Sequence, residues 1–214
     1  MTRIKDTQQQ RRDAIKGLHP IPSNDRYKYT LKDIKIGGYI SFKNENYLVR
    51  SINKYLETKW SFKKKKSDYF VTELELFSLK TGEILFMEWE FDDNFDIYIT
   101  EKEIKLRDLT VNNKVVNKSI LENISENEEG KIRYNNDIYY YSENDTWAAL
   151  YFKNKDSEGI PVRFYEFESD NGQCLTVEMW YDEINDTRPE REAFLSKEVS
   201  PKQIEILQLE ATKE

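Results

Sequence analysis

Two short stretches of the chain hold the side chains best suited to acid–base chemistry. The first is MEWEFDD at residues 87–93, and the second is VEMWYDE at residues 177–183. A pair of carboxyl groups performs general acid and base catalysis when their surroundings push the two pKa values apart. One hypothesis is therefore a carboxylate-dependent or metal-dependent hydrolase. Its catalytic residues would be Glu88, Asp92, Glu178 and Asp182.

The alternation of side chains along a β-strand gives the same residues a structural explanation. It places Glu88 on one face of a strand and Trp89 on the other, and the aspartates that follow fall in a turn, where Asp is common. Because the arrangement recurs in the second stretch, we interpret both stretches as parts of the architecture. We predict no catalytic residue.

A calcium-binding loop is the sharpest metal hypothesis that the sequence offers. Asp92, Asn94, Asp96 and Glu103 fall at ligand positions of the EF-hand template. The template requires Gly where this chain has Ile97, and the flanking segments resemble strands rather than helices. We therefore predict no metal site and no cofactor.

Other common enzyme chemistries lack their residues. His19, the one histidine, precedes a proline, and Cys174 lies in a strand-like segment as a small apolar residue would. The chain has no Walker loop, no dinucleotide-binding glycine pattern and no zinc-type cysteine spacing. The sequence thus favours a protein that is not an enzyme.

Composition describes a folded acidic protein. Its 214 residues are 38% hydrophobic and 14% aromatic, which exceeds what disordered chains carry. The net charge of −7 repels phosphate backbones, so we expect no nucleic-acid partner and favour a basic one. No apolar run reaches the roughly 18 residues of a membrane span, and the single cysteine fits a reducing compartment. We predict a cytoplasmic protein.

Positive charge is concentrated in two places. Residues 1–18 carry five Lys or Arg against two Asp, which gives 5 − 2 = +3. The run KKKK at residues 63–66 lies between strand-like segments, where a solvated loop is the usual structure. Local steering of a charged partner is the mechanism that such a run supports.

An internal repeat is the most informative feature of the chain. Residues 61–93 align with residues 151–183 at an offset of 90 without a gap, and nine of the 33 paired positions are identical. The likeness extends upstream, from ISFKNENYLV at residue 40 to IRYNNDIYYY at residue 132. It also extends downstream, from TEKEIKL at residue 100 to SPKQIEI at residue 200.

Each copy has the pattern of antiparallel β-structure. Strand-like runs flank polar turns, of which Lys80-Thr81-Gly82 and Asp170-Asn171-Gly172 end in a glycine suited to positive φ. Leu74 alternates with Glu73 and Glu75, which suits a sheet with one wet face. We predict a mainly β fold of two similar small antiparallel β units, each a sandwich or partly open barrel, related by pseudo-twofold symmetry.

The predicted boundaries follow from the two copies. They are an N-terminal basic arm, helical or mobile, at 1–30, a first β repeat at 31–109, a polar linker at 110–130, a second β repeat at 131–209 and a tail at 210–214.

Aromatic residues supply the candidates for partner binding. Three successive tyrosines, residues 139–141, cannot all face inward on a strand, and Trp and Tyr are favoured anchors in protein interfaces. The predicted partner-contacting residues are Tyr139, Tyr141, Trp89, Trp180, Glu88 and Glu178.

The segment LKDIKIGGYISFKNENYLVRSI, together with the hairpin ELELFSLKTGEILFMEWEFDD and its second copy, resembles the bacterial family called domain of unknown function 4178. The resemblance covers residues 31–209 as a tandem pair. This chain has Gly37-Gly38 where the family commonly carries Gly-Asp, and the second copy lacks the entry glycine. The resemblance implies a bacterial β-rich module with no catalytic residues to carry over, and an accessory role beside envelope-stress proteins.

Three functions remain open on these observations. The favoured one is a non-catalytic protein-binding or scaffold module whose partner contacts aromatic and acidic surface. The second is the carboxylate- or metal-dependent hydrolase described above. The third is an acidic neutraliser of a basic protein such as a toxin.

Overall fold

Most of the chain is β-strand, as the alternating pattern predicts. The computed structural model describes residues 2–66, 69–141, 146–154, 158–182 and 188–212, and of residues 2–6 the backbone alone. With 52% strand and 16% helix, the chain is mainly β, and eight strands form a closed antiparallel barrel accompanied by further strands. In the part of the chain that the structure describes, no helix is long and apolar enough to cross a membrane.

The helices are α1 (Thr2–Gly17), α2 (Ser23–Arg26) and α3 (Lys118–Asn127). The strands are β1 (Tyr39–Phe42), β2 (Glu45–Thr58), β3 (Phe70–Ser78), β4 (Ile84–Asp92), β5 (Asn94–Glu103), β6 (Leu109–Val111), β7 (Lys114–Val115), β8 (Gly130–Tyr134), β9 (Asp137–Tyr141), β10 (Thr146–Phe152), β11 (Ile160–Ser169), β12 (Gln173–Trp180), β13 (Glu190–Glu198) and β14 (Ile204–Gln208). Two 3-10 turns, Leu106–Asp108 and Pro201–Gln203, precede β6 and β14.

The tight turns form where the sequence places residues that accept positive φ. Lys43 and Asn44, between β1 and β2, have φ values of 50° and 62°. Gly82 has a φ of 78° between β3 and β4, and Gly172 has a φ of 73° between β11 and β12. The turns at Asn44, Gly82 and Gly172 were predicted from local sequence, because only Gly and, less readily, Asn adopt this backbone region at low cost. Lys43 adopts it although Lys does not favour it.

The strands divide between two compact units, and each unit takes segments from both halves of the chain. Unit 1 comprises Met1–Asn53, Thr72–Ile97 and Val199–Glu214, and unit 2 comprises Lys54–Val71 and Tyr98–Glu198.

In unit 1, hydrogen-bonded neighbours follow the order β14-β1-β2-β3-β4. The last strand of the chain pairs with the first, with Ile40 opposite Ile206. Helix α1 packs on this unit, since the Tyr39 hydroxyl donates to the Ala14 carbonyl at 2.8 Å. The predicted N-terminal helix is therefore present and packed. The core around it consists of Ala14, Tyr39, Phe77, Leu79 and Leu207.

In unit 2, the order of neighbours is β7-β6-β8-β9-β11-β12-β13. Strand β10 pairs with the first part of β11, on the same edge that β9 contacts at Glu168 and Ser169. Asn117 caps the N-terminus of helix α3, and its side chain accepts a hydrogen bond from the Ile120 N–H. It buries Leu121 and Ile124 in a core to which β8, β9, β11 and β12 contribute. The predicted polar linker therefore holds a packed helix.

Residues 39–111 and 130–208 contain a similar order of elements, but the strand pairing in their hairpins differs by one residue. Leu76 lies opposite Leu85 and Phe167 opposite Leu175, so the paired residues are 85 − 76 = 9 apart in the first hairpin and 175 − 167 = 8 apart in the second. The second turn is one residue shorter than the first. If β4 and β12 are aligned at an offset of 90, the strands before the turns, β3 and β11, are therefore equivalent at an offset of 91. The identical positions at 155 and 157 lie outside the described residues.

The downstream likeness also fails to match equivalent elements. Residues 100–106 run from the end of β5 into the first 3-10 turn, whereas residues 200–206 cover the second 3-10 turn and the start of β14. The order of elements instead matches β6 with β14. Strand β6 pairs with β8, and β14 pairs with β1.

Candidate functional site

The three successive tyrosines of β9 divide between the core and the surface. Tyr139 and Tyr141 are 1% and 9% exposed and belong to the core of unit 2, whereas Tyr140 is 41% exposed. Alternation along the strand explains the division. Tyr139 and Tyr141, which the sequence suggested for partner binding, thus pack inside the unit, and Tyr140 supplies the accessible ring.

In unit 1, Glu88 lies directly opposite Glu73 across β3 and β4. Glu73 is 7% exposed and accepts a hydrogen bond of 2.7 Å from the Asn53 amide, which in turn accepts one of 2.6 Å from the Ser51 hydroxyl. The expectation that Glu73 faces water is wrong. Alternation assigns a residue to a face of the sheet, but it does not show whether that face is covered.

Trp89 packs within unit 1. It is half-buried, and its ring lies edge-on to Phe95 with centroids 5.4 Å apart. The exposed ring on this strand is Phe91, over which the Lys32 ammonium sits 2.9 Å from the centroid. A side chain of unit 1 therefore already occupies the accessible aromatic face beside Trp89.

The carboxylates of the hydrolase hypothesis do not converge within either unit. Glu88 and Asp92 lie four residues apart in β4, and at about 3.3 Å per residue their Cα atoms are about 13 Å apart. Asp92 and Asp182 are both exposed.

A metal centre also finds no support among the described residues. They include no group of three or more His, Cys, Asp or Glu side chains that could hold a metal ion. The residues from Asn94 to Glu103, which matched a calcium loop, form strand β5. An extended strand cannot wrap its side chains around one ion, so the match to the template is a coincidence of spacing.

Glu178 and Trp180 of unit 2 belong to a larger arrangement, here called the aromatic–acidic face. It consists of three half-buried rings and three carboxylates: Trp147, Tyr151, Trp180, Glu166, Glu178 and Glu192. Cross-strand pairing fixes them on one side of the sheet. Trp147 lies opposite Phe164, Phe164 opposite Glu178, and Glu178 opposite Glu192.

Two buried rings support the half-buried ones. Phe164 stacks on Trp147 with centroids 4.0 Å apart and planes at 11°. Tyr55 lies opposite Tyr151, with centroids 4.9 Å apart, and Tyr151 meets Trp180 edge-on at 5.2 Å. Rings in such contacts are held rigidly, so little side-chain entropy remains to be lost when a partner binds.

Hydrogen bonds tie the carboxylates to the rings. The Trp147 indole donates to Glu166 at 3.0 Å, and the Trp180 indole donates to Glu178 at 2.8 Å. Each bond fixes a carboxyl group beside an aromatic ring. The two tryptophan N–H groups are thereby satisfied, while the ring faces keep their capacity to contact another group.

Glu192 reports the electrostatic character of this face. The Glu192 side chain is exposed, but the surrounding protein removes part of the water from its carboxyl group, and this desolvation raises its pKa. The negative charges of Glu190 and Glu103 raise the pKa further. Like charges oppose one another's ionisation. The potential around Glu192 is therefore negative and favours an approaching cation.

Sequence reasoning found Glu178 and Trp180 but missed their neighbours. Trp147, Tyr151, Glu166 and Glu192 come from β10, β11 and β13, and pairing across strands brings them together. Alternation along each strand already assigns every side chain to one face of the sheet. The strand pairing is the additional information that would have identified these four residues as neighbours. The loop at residues 63–66 is exposed, as predicted, and Lys65 forms an ion pair with Glu57.

A family model shows to which family the chain belongs. The model of the domain of unknown function DUF4178 matches residues 35–201, so the chain is a member of that family. No curated protein and no solved structure matches the chain.

Proposed function

We propose that this member of the DUF4178 family is a non-catalytic protein-binding module. Its partner docks on the aromatic–acidic face of unit 2 and presents lysine or arginine side chains to it. One observation carries the proposal: Trp147, Tyr151 and Trp180 leave part of their rings accessible on a sheet face that also holds the half-buried Glu166, the exposed Glu192 and the buried Glu178.

The chemistry of the face suits a cationic side chain. Lys and Arg bind over Trp and Tyr rings through the ring quadrupole, and adjacent carboxylates add charge-assisted hydrogen bonds. Unit 2 contains an internal example in Arg163, whose guanidinium carbon lies 4.1 Å from the Trp60 centroid and 5.1 Å from the Tyr181 centroid. The net charge of −7 further favours encounter with a basic partner.

A basic peptide tests the proposal directly. Hexa-arginine, titrated into the intact protein, should bind at low salt and bind more weakly as salt is added, because screening weakens attraction between exposed charges. Glu192→Lys reverses one charge on the face and should lower the affinity by at least about fivefold. Hexaglutamate should not bind.

The matched control is Glu126→Lys, which makes the same change of charge on an exposed residue of α3. It should leave the affinity for hexa-arginine within about twofold. Equal weakening by the two variants would mean that only overall charge matters, and the proposal would fail. Absence of binding to the wild-type protein at low salt would also overturn it.

The contacts of the aromatic–acidic face favour the neutraliser hypothesis and not the hydrolase hypothesis. Neutralisation of a basic protein such as a toxin uses the same contacts, so it is one form of the proposed function. The hydrolase has no favouring observation, since Glu88 and Asp92 are separated along one strand and Asp92 and Asp182 are exposed.

The proposal extends to origin and context. We infer a bacterial, cytoplasmic scaffold or accessory protein of a stress or envelope-associated system, built as a tandem pair of one module. The repeated order of elements supports the duplication: a hairpin of two strands, further antiparallel strands, a 3-10 turn and a final strand. The pseudo-twofold symmetry stays a prediction.

A further inference from the structure

Unit 2 contains a second candidate site, independent of the aromatic–acidic face. It is a cavity of about 760 Å³, here called the hairpin cavity, between the β6–β7 hairpin, the end of α3 and the β8–β9 hairpin. Its polar and aromatic lining includes Asn112, Asn113, Asn123, Lys131, Arg133 and Tyr140. Small-molecule sites in proteins have volumes of roughly 300 to 1,000 Å³.

The local sequence sets the shape of this cavity. Asn112 and Asn113 form the two-residue turn between β6 and β7, with φ values of 50° and 64°. On the neighbouring strands, Lys131 lies opposite Tyr140 and Arg133 lies opposite Ile138. These four side chains therefore share one face of the β8–β9 hairpin.

The two cations of the cavity are available to a ligand. Among the residues that the structure describes, the side chains of Lys131 and Arg133 form no hydrogen bond and no ion pair, and both are exposed. Glu129 is the acidic residue of the lining, which gives the lining a charge of 2 − 1 = +1. A positive cavity is unexpected in a chain whose net charge is −7. It would attract an anion.

The Tyr140 ring is also available. It is 41% exposed, and within the described part of the chain it makes no ring contact. A planar ring stacks on such a surface with little demand on its exact chemistry. The amide groups of the three asparagines both donate and accept hydrogen bonds, as the edges of a nucleobase require.

We propose that the hairpin cavity binds a small anionic ligand with a planar ring, of the size and chemistry of a nucleoside monophosphate. Lys131 and Arg133 hold the phosphate, because Arg offers paired N–H donors to its oxygens and Lys adds a point charge. Tyr140 stacks on the base, and Asn112, Asn113 and Asn123 contact its edge.

Calorimetric titration of the full chain with the four ribonucleoside 5′-monophosphates tests this assignment. At least one nucleotide should bind with a Kd below about 1 mM at low salt. Lys131→Glu combined with Arg133→Glu should weaken that binding by at least about tenfold, because it removes both cationic contacts. Tyr140→Ala should weaken it by about fivefold or more. Inorganic phosphate alone should bind less tightly than the nucleotide.

The matched control combines Arg191→Glu with Lys197→Glu on β13. Both residues are exposed and lie outside the lining, and the control changes the net charge by the same amount. It should retain binding within about twofold. Thermal melts of every variant establish that the proteins are folded.

Three results would overturn the proposal. They are no saturable binding by any of the four nucleotides, equal weakening by the control pair, and binding of inorganic phosphate as tight as that of the nucleotide with no effect of Tyr140→Ala.

Discussion

Glu192 shows how a single residue links the aromatic–acidic face to pH. Partial desolvation is the largest cause that raises its pKa in the folded protein, and the charges of Glu190 and Glu103 add to it. At pH values between the ordinary pKa of a glutamate and this raised pKa, the Glu192 carboxyl group is largely ionised in the unfolded chain but still largely protonated in the folded protein. Ionisation of Glu192 therefore lowers the stability of the native state as pH rises through that window, and the loss persists at neutral pH.

Glu192→Gln removes this effect. We expect the variant to be slightly more stable than the wild type at pH 7, by well under about 1 kcal/mol because the residue is exposed. At pH 3, where the carboxyl group is protonated in both states, the two proteins should have equal stability. Urea unfolding at the two pH values measures the difference. A gain of the same size at pH 3 would show that packing, not charge, is responsible.

Asn53 supports a buried carboxylate in unit 1. Its amide donates to Glu73, and both side chains are buried. Asn53→Ala should lower the free energy of unfolding by about 1–3 kcal/mol, because the buried carboxyl group of Glu73 loses a hydrogen-bond donor. Asn46→Ala, on the same strand, should cost less than about 0.5 kcal/mol. Equal costs in urea unfolding would refute the assigned role of the amide.

At the scale of elements, the hairpins were predictable because their information is local. Gly82, Gly172 and Asn44 lie at turns whose φ values those residue types accept at low cost. The exact pairing register of the hairpins was not predictable. The first turn has one residue more than the second, so β3 is shifted by one residue relative to its counterpart β11. Loop length varies at little energetic cost, so sequence similarity across a turn does not fix the pairing of the strands that it joins.

The two turn glycines give a matched pair of substitutions. Gly172→Ala should cost about 1 kcal/mol, because Ala disfavours positive φ while the added methyl group meets nothing nearer than 4.0 Å. In Gly82→Ala the methyl group would also lie 2.7 Å from the Thr7 methyl carbon and 2.9 Å from Arg11 Cδ on α1. The cost at Gly82 should therefore exceed the cost at Gly172. Urea unfolding of both variants measures the two costs. Equal costs would show that α1 moves away from the added methyl group without loss of stability.

At the scale of the whole molecule, sequence reasoning predicted the mainly β class, and the two compact units are not the contiguous repeats that it predicted at 31–109 and 131–209. It did not give their composition, because β14 with β1 and β6 with β8 are long-range pairings with no local signal. The same limit hid the aromatic–acidic face, whose members come from four strands. The hairpin cavity was missed for a related reason, since Asn112, Lys131 and Tyr140 become neighbours only when β6, β8 and β9 pair.

Deleting residues 199–214 tests the composition of unit 1. The deletion removes β14, one of the two hydrogen-bonded neighbours of β1, and leaves β2. Amide hydrogen exchange should therefore show loss of protection at residues 39–42, far away in sequence. A control deletion of residues 213–214 should leave that protection unchanged. Unchanged protection of β1 in the longer deletion would contradict the pairing.

The pairing of β14 with β1 also bears on how the protein is made. Phe42 lies opposite Ile204, and 204 − 42 = 162 residues separate them. At a translation rate of about 5–20 residues per second, β1 leaves the ribosome on the order of ten seconds or more before its partner. Its outer edge stays open to other nascent chains during that time, so a chaperone that shields exposed strands would raise the yield of folded protein.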